Sequence, residues 1–478
     1  MPATTAPPVP VKGAPALEHG PAEQHSAKPD STGRAAARRR TSARWPVYAF
    51  FLSLILPIDF NVAGIRLTPY GIVLLALIVP ATILLVSGRV GRIRAPDILV
   101  LLHALTVALA ILVVHRQEEI PFAGRYIIES FGAYLIARCF IRSADDFRAS
   151  VRCHFLIITV LLPLALVESV TGYNALYTLV GSTVPGVIGE RWGLGRAYTG
   201  FDHPILYGVF AACSFALVFY VLGYGRFTLG ALRRAAVVTG AAFFSLSAGP
   251  LSTLVVQSAL IAWDFLTRRI PYRWWILFGL FVAAYIAIDL LSTRSPVRVF
   301  ATYFTFSGHT AYDRIGDWTW GMVNIRQNPW FGLGLNDWIR ERWMSASLDS
   351  FWVVQAMRYG VPAFLLQAAA LLVLCTAVGR RRFRDRRLHA YRAGWLIAIV
   401  ALIIAGLSVH FWNAVFCLFL FLQGSGAWLM TVKDSPPPRI RPRPPLAHPD
   451  TGSERGRGEG LTPRTHLGTH LRPRHPAG

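Results

Sequence analysis

From Trp45 to Val432 the chain is a succession of apolar runs. Each is roughly 15 to 25 residues long, about the length an α-helix needs to cross a hydrocarbon core. Lipid offers the backbone no hydrogen bonds, so each run has to become a helix that satisfies its own amides. The runs begin near Trp45, Leu67, Pro96, Tyr126, Phe155, Ile205, Leu232, Leu251, Trp274, Asp349, Ala393 and Phe411. This pattern predicts an all-α, polytopic transmembrane bundle of about twelve spans over residues 45–432, with both termini on one side.

The charges support that reading. Lys and Arg number 48 against 25 Asp and Glu, a formal charge of +23 that in a soluble protein would suggest nucleic acid. Here the basic residues gather in short loops: Arg89/Arg92/Arg94, Arg138/Arg142/Arg148/Arg152, Arg226/Arg233/Arg234, Arg268/Arg269/Arg273 and the run Arg380 to Arg392. These loops fall on alternate sides of the count. The positive-inside rule then makes them, and both termini, cytoplasmic, with the basic groups facing anionic lipid rather than nucleic acid. The 5 cysteines, Cys139, Cys153, Cys213, Cys375 and Cys417, lie in or beside apolar runs and read as small buried hydrophobes.

Residues 1–44 are rich in Ala, Pro, Ser and charge and read as a disordered basic segment. They form a polar stretch too long for a signal-peptide n-region, so the first span reads as a retained anchor. Residues 433–478 alternate Pro and Arg and read as a second disordered tail. The tail histidines His448, His466, His470 and His475 lack the accompanying Cys or carboxylates of a metal site.

Two long segments remain on the extracytoplasmic side, residues 173–204 and 292–348. Long loops inside a compact protein usually work. In the second, Ile315, Trp318, Met322 and Ile325 recur at helical spacing until Asn328 and Pro329 stop the run. Gly332 and Gly334 then mark a turn, and Asn336 is a suitable N-cap for a short helix through Trp343.

Acidic groups collect toward the same side: Asp59, Glu168, Asp289 and Asp349 at span ends, with Arg125 and Glu129 opening the fourth span. Span ends meet water in any case, so the bias as a set carries more than any single member. The long loops also hold Arg191, Arg196, Arg294, Arg298, Arg314, Arg326, Arg340 and Arg342. Translocated loops tolerate such charge, yet Arg also grips phosphate oxygens in bidentate fashion. Trp318, Trp320, Trp330, Trp338 and Trp343 suit either an interfacial belt or the faces of sugars. His203 and His309 read as structural, and Asp313 with Asp317 is too small a set for a metal.

The stretch RIGDWTWGMVNIRQNPWFGLGLNDWIRERWMSASLDSFWVVQAMRYGVPA, Arg314 to Ala363, resembles the signature region of the O-antigen ligase and polymerase superfamily. The shared features are Arg314, the aromatic helix with Trp318, the Asn328-Pro329-x-x-Gly332-x-Gly334 turn, and Gly360 in the next span. GRAYTGFDHPILYG, Gly195 to Gly208, is similar to the family's Arg-bearing entry to the span after the first long loop. The resemblance implies a GT-C-like membrane glycosyltransferase of the bacterial plasma (inner) membrane. It would take a glycan from undecaprenyl pyrophosphate and pass it to a sugar hydroxyl, with no cofactor or metal. Arg196 and Arg314, supported by Arg191, would bind the pyrophosphate, Arg314 also serving in catalysis, and Trp318 and Trp338 would contact glycan. Partners would be the lipid-linked oligosaccharide, membrane lipids, and polysaccharide export and chain-length-control proteins.

One feature departs from the ligase branch, which carries a His at the start of the span after the turn. Leu348, Asp349 and Ser350 stand there instead. Asp349 is either a carboxylate base or the N-cap of the following helix. The missing His shifts the expectation from ligase to a polymerase of surface or exopolysaccharide repeats. Alternatives from other classes are a transporter or lipid-oligosaccharide flippase, with His103, Gln257 and the Gly360-Val361-Pro362 kink as its only midplane features, and a scaffold for a secretion complex.

Overall fold

The structure, a computed structural model, describes residues 44–62, 65–182, 189–292 and 308–434. The expected disordered segments, apart from Arg44 and residues 433–434, lie outside the described residues, as do loop residues 183–188 and 293–307 with Arg294 and Arg298. The side chains of His309 and Asp313 do as well.

Among the described residues the protein is a bundle of helices. They are α1 Trp45–Leu54, α2 Pro69–Val86, α3 Ala95–His115, α4 (residues 120–140), α5 Ala144–Thr171, α6 Ala175–Val180, α7 Pro204–Leu222 and α8 Leu229–Phe244. After them come α9 Ala248–Leu266, α10 Arg273–Leu291, α11 Gly308–Gln327, α12 Phe351–Tyr359, α13 Val361–Gly379, α14 Arg386–Ala405 and α15 Asn413–Met430. A small antiparallel hairpin, β1 Phe60–Val62 with β2 Ile65–Leu67, links α1 to α2.

Nine helical stretches among the described residues are long and apolar enough to cross a membrane. The chain is therefore a multi-pass membrane protein. One stretch, Ala95–Phe140, runs for 46 residues and contains both the third and fourth predicted runs. It does not continue straight: Arg116 adopts φ 55°, a short 3₁₀ turn covers Arg116–Glu119, and α3 and α4 fold back against each other. The first and seventh runs form the shorter helices α1, of 10 residues, and α8, of 16.

α13 packs most extensively on α3, α15 on the second half of α4, and α8 on α5 and α7. α10 buries none of its apolar window against the rest of the described chain, as a lipid-facing helix can. Arginines of the basic loops tie helix ends to carboxylates. Arg138 Nε donates to Asp97 Oδ1 at 3.1 Å, Arg44 Nε to Asp146 Oδ1 at 3.0 Å, and Arg273 Nη2 to Asp264 Oδ1 at 2.6 Å. The cysteines are free and buried or half-buried.

α11 ends where the sequence stops it, and the turn that follows is set by close backbone approach. Leu333 N donates to Met357 O at 2.9 Å, Gly334 N to Arg358 O at 2.8 Å, and Val361 N to Pro329 O at 2.8 Å. Gly332, Gly334 and Gly360 all adopt positive φ. A Cβ on Gly360 would stand 2.1 Å from the Trp330 carbonyl oxygen, and one on Gly332 2.4 Å from the Arg358 carbonyl carbon, so these two glycines let the turn seat on the α12–α13 junction, while Gly334, where a Cβ would stand 2.4 Å from His115 Nε2, lets it approach the end of α3.

The short helix expected from Asn336 to Trp343 does not form. Its backbone is claimed by side chains instead: Asn324 bridges Ile339 through Nδ2 to O at 2.9 Å and Oδ1 from N at 3.0 Å, and Trp338 Nε1 donates to Ala346 O at 3.0 Å. Such bonds compete with helical ones. The loop closes over a small core of Ile325, Trp338, Met344, Leu348, Val353 and Met357.

Candidate functional site

Glu168, near the end of α5, organises the segment that carries Arg196. Its Oε1 accepts from Tyr198 N at 3.1 Å and from Asn174 Nδ2 at 3.0 Å, and its Oε2 accepts from Thr199 N at 2.9 Å. The carboxylate is 4% exposed. Gly195 N donates to Ser169 O at 2.8 Å and Ala197 N to Phe244 O at 2.9 Å, which fixes the segment between α5 and α8. The acid that sequence marks as a span-end charge thus serves as a clamp for backbone amides.

The clamped segment holds Arg196, half-buried, beside the α8–α9 junction. Its Nη2 donates to Ser247 Oγ at 2.8 Å, while its Nε is buried without a hydrogen-bond partner. Arg191 Nη1 donates to Leu246 O at 2.9 Å from the same side. Burial lowers the Arg196 guanidinium to about 10, Arg191 pushes the same way, and Asp349 opposes. An arginine held like this gains from an incoming anion that accepts its remaining N–H groups.

Arg314 and Asp317 lie one turn apart on α11 and are 6% and 5% exposed. Asp317 Oδ2 accepts from Asp349 N at 2.8 Å, which ties α11 to the chain entering α12. Ser350, not Asp349, is the N-cap: its hydroxyl accepts from Val353 N. The capping explanation for Asp349 is thereby removed. Burial lowers Arg314, opposed by Asp349 and then Asp317, with Arg191 adding to the lowering.

Arg191, Arg196, Arg314 and Asp349, drawn from three separate stretches of chain, therefore share one electrostatic neighbourhood with Asp317. His203 borders it. Its Nδ1 caps α7 by accepting from Ile205 N at 3.2 Å, and burial together with Arg196 and Arg191 lowers it to about 4, so it is neutral at pH 7.

The two tryptophans differ. Trp318 is half-buried and donates its Nε1–H to Leu407 O at 3.1 Å, leaving part of its ring open. Trp338 is only 3% exposed, with its ring in the small core under the loop, so it has no face for a sugar. Arg340 pairs with Asp337 at 2.5 Å on that loop's surface. No described contact joins Asp289, exposed on α10, to the arginine group.

Sequence reasoning missed His410 and Trp412, which precede α15. Trp412 lies between the two histidines, its ring 5.6 Å from His410 and 5.7 Å from His203. The signal was present in Val409-His410-Phe411-Trp412-Asn413, a polar and aromatic interruption between two apolar runs. His103 and Gln257 are satisfied within the helix packing. His103 Nδ1 donates to Ala363 O at 2.9 Å, and Gln257 accepts from Ala216 N at 2.9 Å and donates to Ala212 O at 2.8 Å.

Two cavities meet at Asn413. One, of about 460 Å³, carries Asp59 and Asp202, the latter accepting from Asn413 Nδ2 at 2.5 Å. The other, of about 230 Å³, carries Arg125, Glu129, Arg358 and His410. No group of three or more His, Cys, Asp or Glu among the described residues is arranged to hold a metal. No family model matches the chain, and no curated protein matches it.

Proposed function

We propose that this chain is a polysaccharide polymerase that moves a glycan from a lipid pyrophosphate to a sugar hydroxyl at the extracytoplasmic face of a bacterial plasma membrane. On this reading the bundle is GT-C-like with about twelve spans, and both termini are cytoplasmic. What carries it is the convergence of half-buried Arg196 and buried Arg314 with Asp349, three groups from separate parts of the chain. Structural packing alone has no need of a buried and a half-buried guanidinium group set beside Asp349 and Asp317, and desolvating such charges is costly.

In the reaction the acceptor oxygen forms a bond to the anomeric carbon as the bond from that carbon to the pyrophosphate oxygen breaks. The acceptor proton passes to the Asp349 carboxylate. Negative charge grows on the departing lipid pyrophosphate, where Arg314 and Arg196 stabilise it in a water-poor site, and Arg191 adds to the field. Trp318 offers the open part of its ring to glycan. Lipid-linked repeats, membrane lipids, and export and chain-length-control proteins are the partners this chemistry calls for.

Ligase-type transfer shares the donor half of this chemistry and differs in acceptor. The experiment is reconstitution of purified protein with lipid-linked repeat units. Products longer by whole repeats support polymerisation, transfer to a different added acceptor supports ligation, and uptake of substrate into vesicles without lengthening would replace the reading with a transporter.

A further inference from the structure

The smaller cavity takes no part in the steps above, yet it is built from groups that a purely structural void does not need. Part of its wall is aromatic: Tyr126 packs 5.2 Å from Tyr359 and Trp412 closes the side toward His203. The rest is polar. Glu129 lies 3.7 Å from Arg125 and is 8% exposed at its side chain. Gln355 Oε1 is 3.1 Å from the Tyr126 hydroxyl, which is itself 3.1 Å from His103 Nε2. Arg358 Nη1 donates to Gly334 O at 3.0 Å and Asn336 O at 3.3 Å. His410 Nδ1 is buried without a hydrogen-bond partner.

An empty packing defect would be lined by aliphatic groups. A phosphate site would present unopposed cations, whereas here Glu129 sits against Arg125, and Arg358 is engaged with backbone carbonyls. Donors and acceptors set around aromatic faces suit a ligand whose hydroxyls both give and accept hydrogen bonds and whose C–H faces lie on rings.

We propose that this cavity is a saccharide subsite, holding one sugar residue of a glycan against the half-buried Trp412, with hydroxyls directed to Glu129, Gln355 and His410. The subsite adjoins the arginine group through Trp412 and His203. It deepens the glycosyl-transfer reading and rests on that reading only for where the chemistry occurs.

The test uses the full chain in lipid nanodiscs and two probes. One is the producing cell's own surface oligosaccharide, released from its lipid by mild acid and so lacking pyrophosphate. The other is a polyprenyl pyrophosphate without sugar. Wild-type protein should bind the free oligosaccharide, and Glu129→Gln and His410→Gln should each weaken that binding at least tenfold with an unchanged melting temperature. Arg314→Ala should leave it unchanged. For the polyprenyl pyrophosphate the pattern should reverse, with Arg314→Ala losing binding and the two cavity variants keeping it.

Absence of oligosaccharide binding by the wild type, or wild-type affinity in both cavity variants, overturns the subsite. Loss of oligosaccharide binding in Arg314→Ala to the same degree as in the cavity variants overturns its separateness from the arginine group. Failure of the pyrophosphate arm alone would count against the donor reading and leave the subsite standing.

Discussion

Replacing Glu168 by Ala should release the segment that carries Arg196. The carboxylate accepts three hydrogen bonds, at 3.1, 3.0 and 2.9 Å, from Tyr198 N, Asn174 Nδ2 and Thr199 N. Each buried donor left without a partner costs about 1–3 kcal/mol, and water entering the vacated space recovers part of it. A net loss of about 3–6 kcal/mol follows for the local structure. Since about 1.4 kcal/mol is tenfold in an equilibrium, opening of this segment should become at least about a hundredfold more frequent. Limited trypsin digestion, read by mass spectrometry for cleavage after Arg196, measures that opening. Glu168→Gln keeps one acceptor oxygen and should fall between wild type and Ala. Cleavage after Arg196 at the wild-type rate in Glu168→Ala would refute the clamp.

Two further predictions concern the fold and its pH dependence. Gly360→Ala, at φ 87° with a Cβ 2.1 Å from Trp330 O, should lower the melting temperature severely, whereas Gly172→Ala, at φ 75° with open space around it, should cost only about 1 kcal/mol. Equal effects would remove the packing explanation for Gly360. His203 and His410 both sit near 4, largely through burial, against about 6.5 in an unfolded chain. The unfolded chain then binds more protons, so their contribution is complete above about pH 6.5 and is lost as pH falls through about 4. Thermal unfolding measured across that window should show stability falling with acid, and His410→Gln should flatten the slope.

Much of the bundle was legible because lipid makes helix formation obligatory for long apolar runs, and because arginine clusters mark loops. The 46-residue stretch containing α3 and α4 was readable as two runs because His115-Arg116-Gln117-Glu118-Glu119 interrupts the apolar residues, and the chain reverses there with Arg116 at φ 55°. The turn at Asn328 to Gly334 was readable from Gly and Pro, but the reason for its glycines, close approach of Gly332 to the end of α12 and of Gly334 to His115 on α3, is tertiary. The same holds for the loop after it. Asn336 has good capping chemistry, yet Asn324, reaching from α11, takes the backbone that a helix would use.

The candidate site divides in a similar way. Arg196, Arg314 and Asp349 were expected from the loop count to lie toward one face, but their mutual proximity depends on Glu168 and Asp317, whose hydrogen bonds are invisible in sequence. Trp338 looked equivalent to Trp318 by composition. Burial separates them, because the loop folds its second tryptophan inward.

The most direct measurement of the central claim is single-turnover transfer by purified protein supplied with lipid-linked repeats, comparing wild type with Arg314→Ala and Asp349→Asn. Chain lengthening by whole repeats is expected in the wild type, with a loss of at least about a hundredfold in each variant, the scale expected when a group acting on transition-state charge or proton transfer is removed. Lengthening at the wild-type rate in both variants would contradict it.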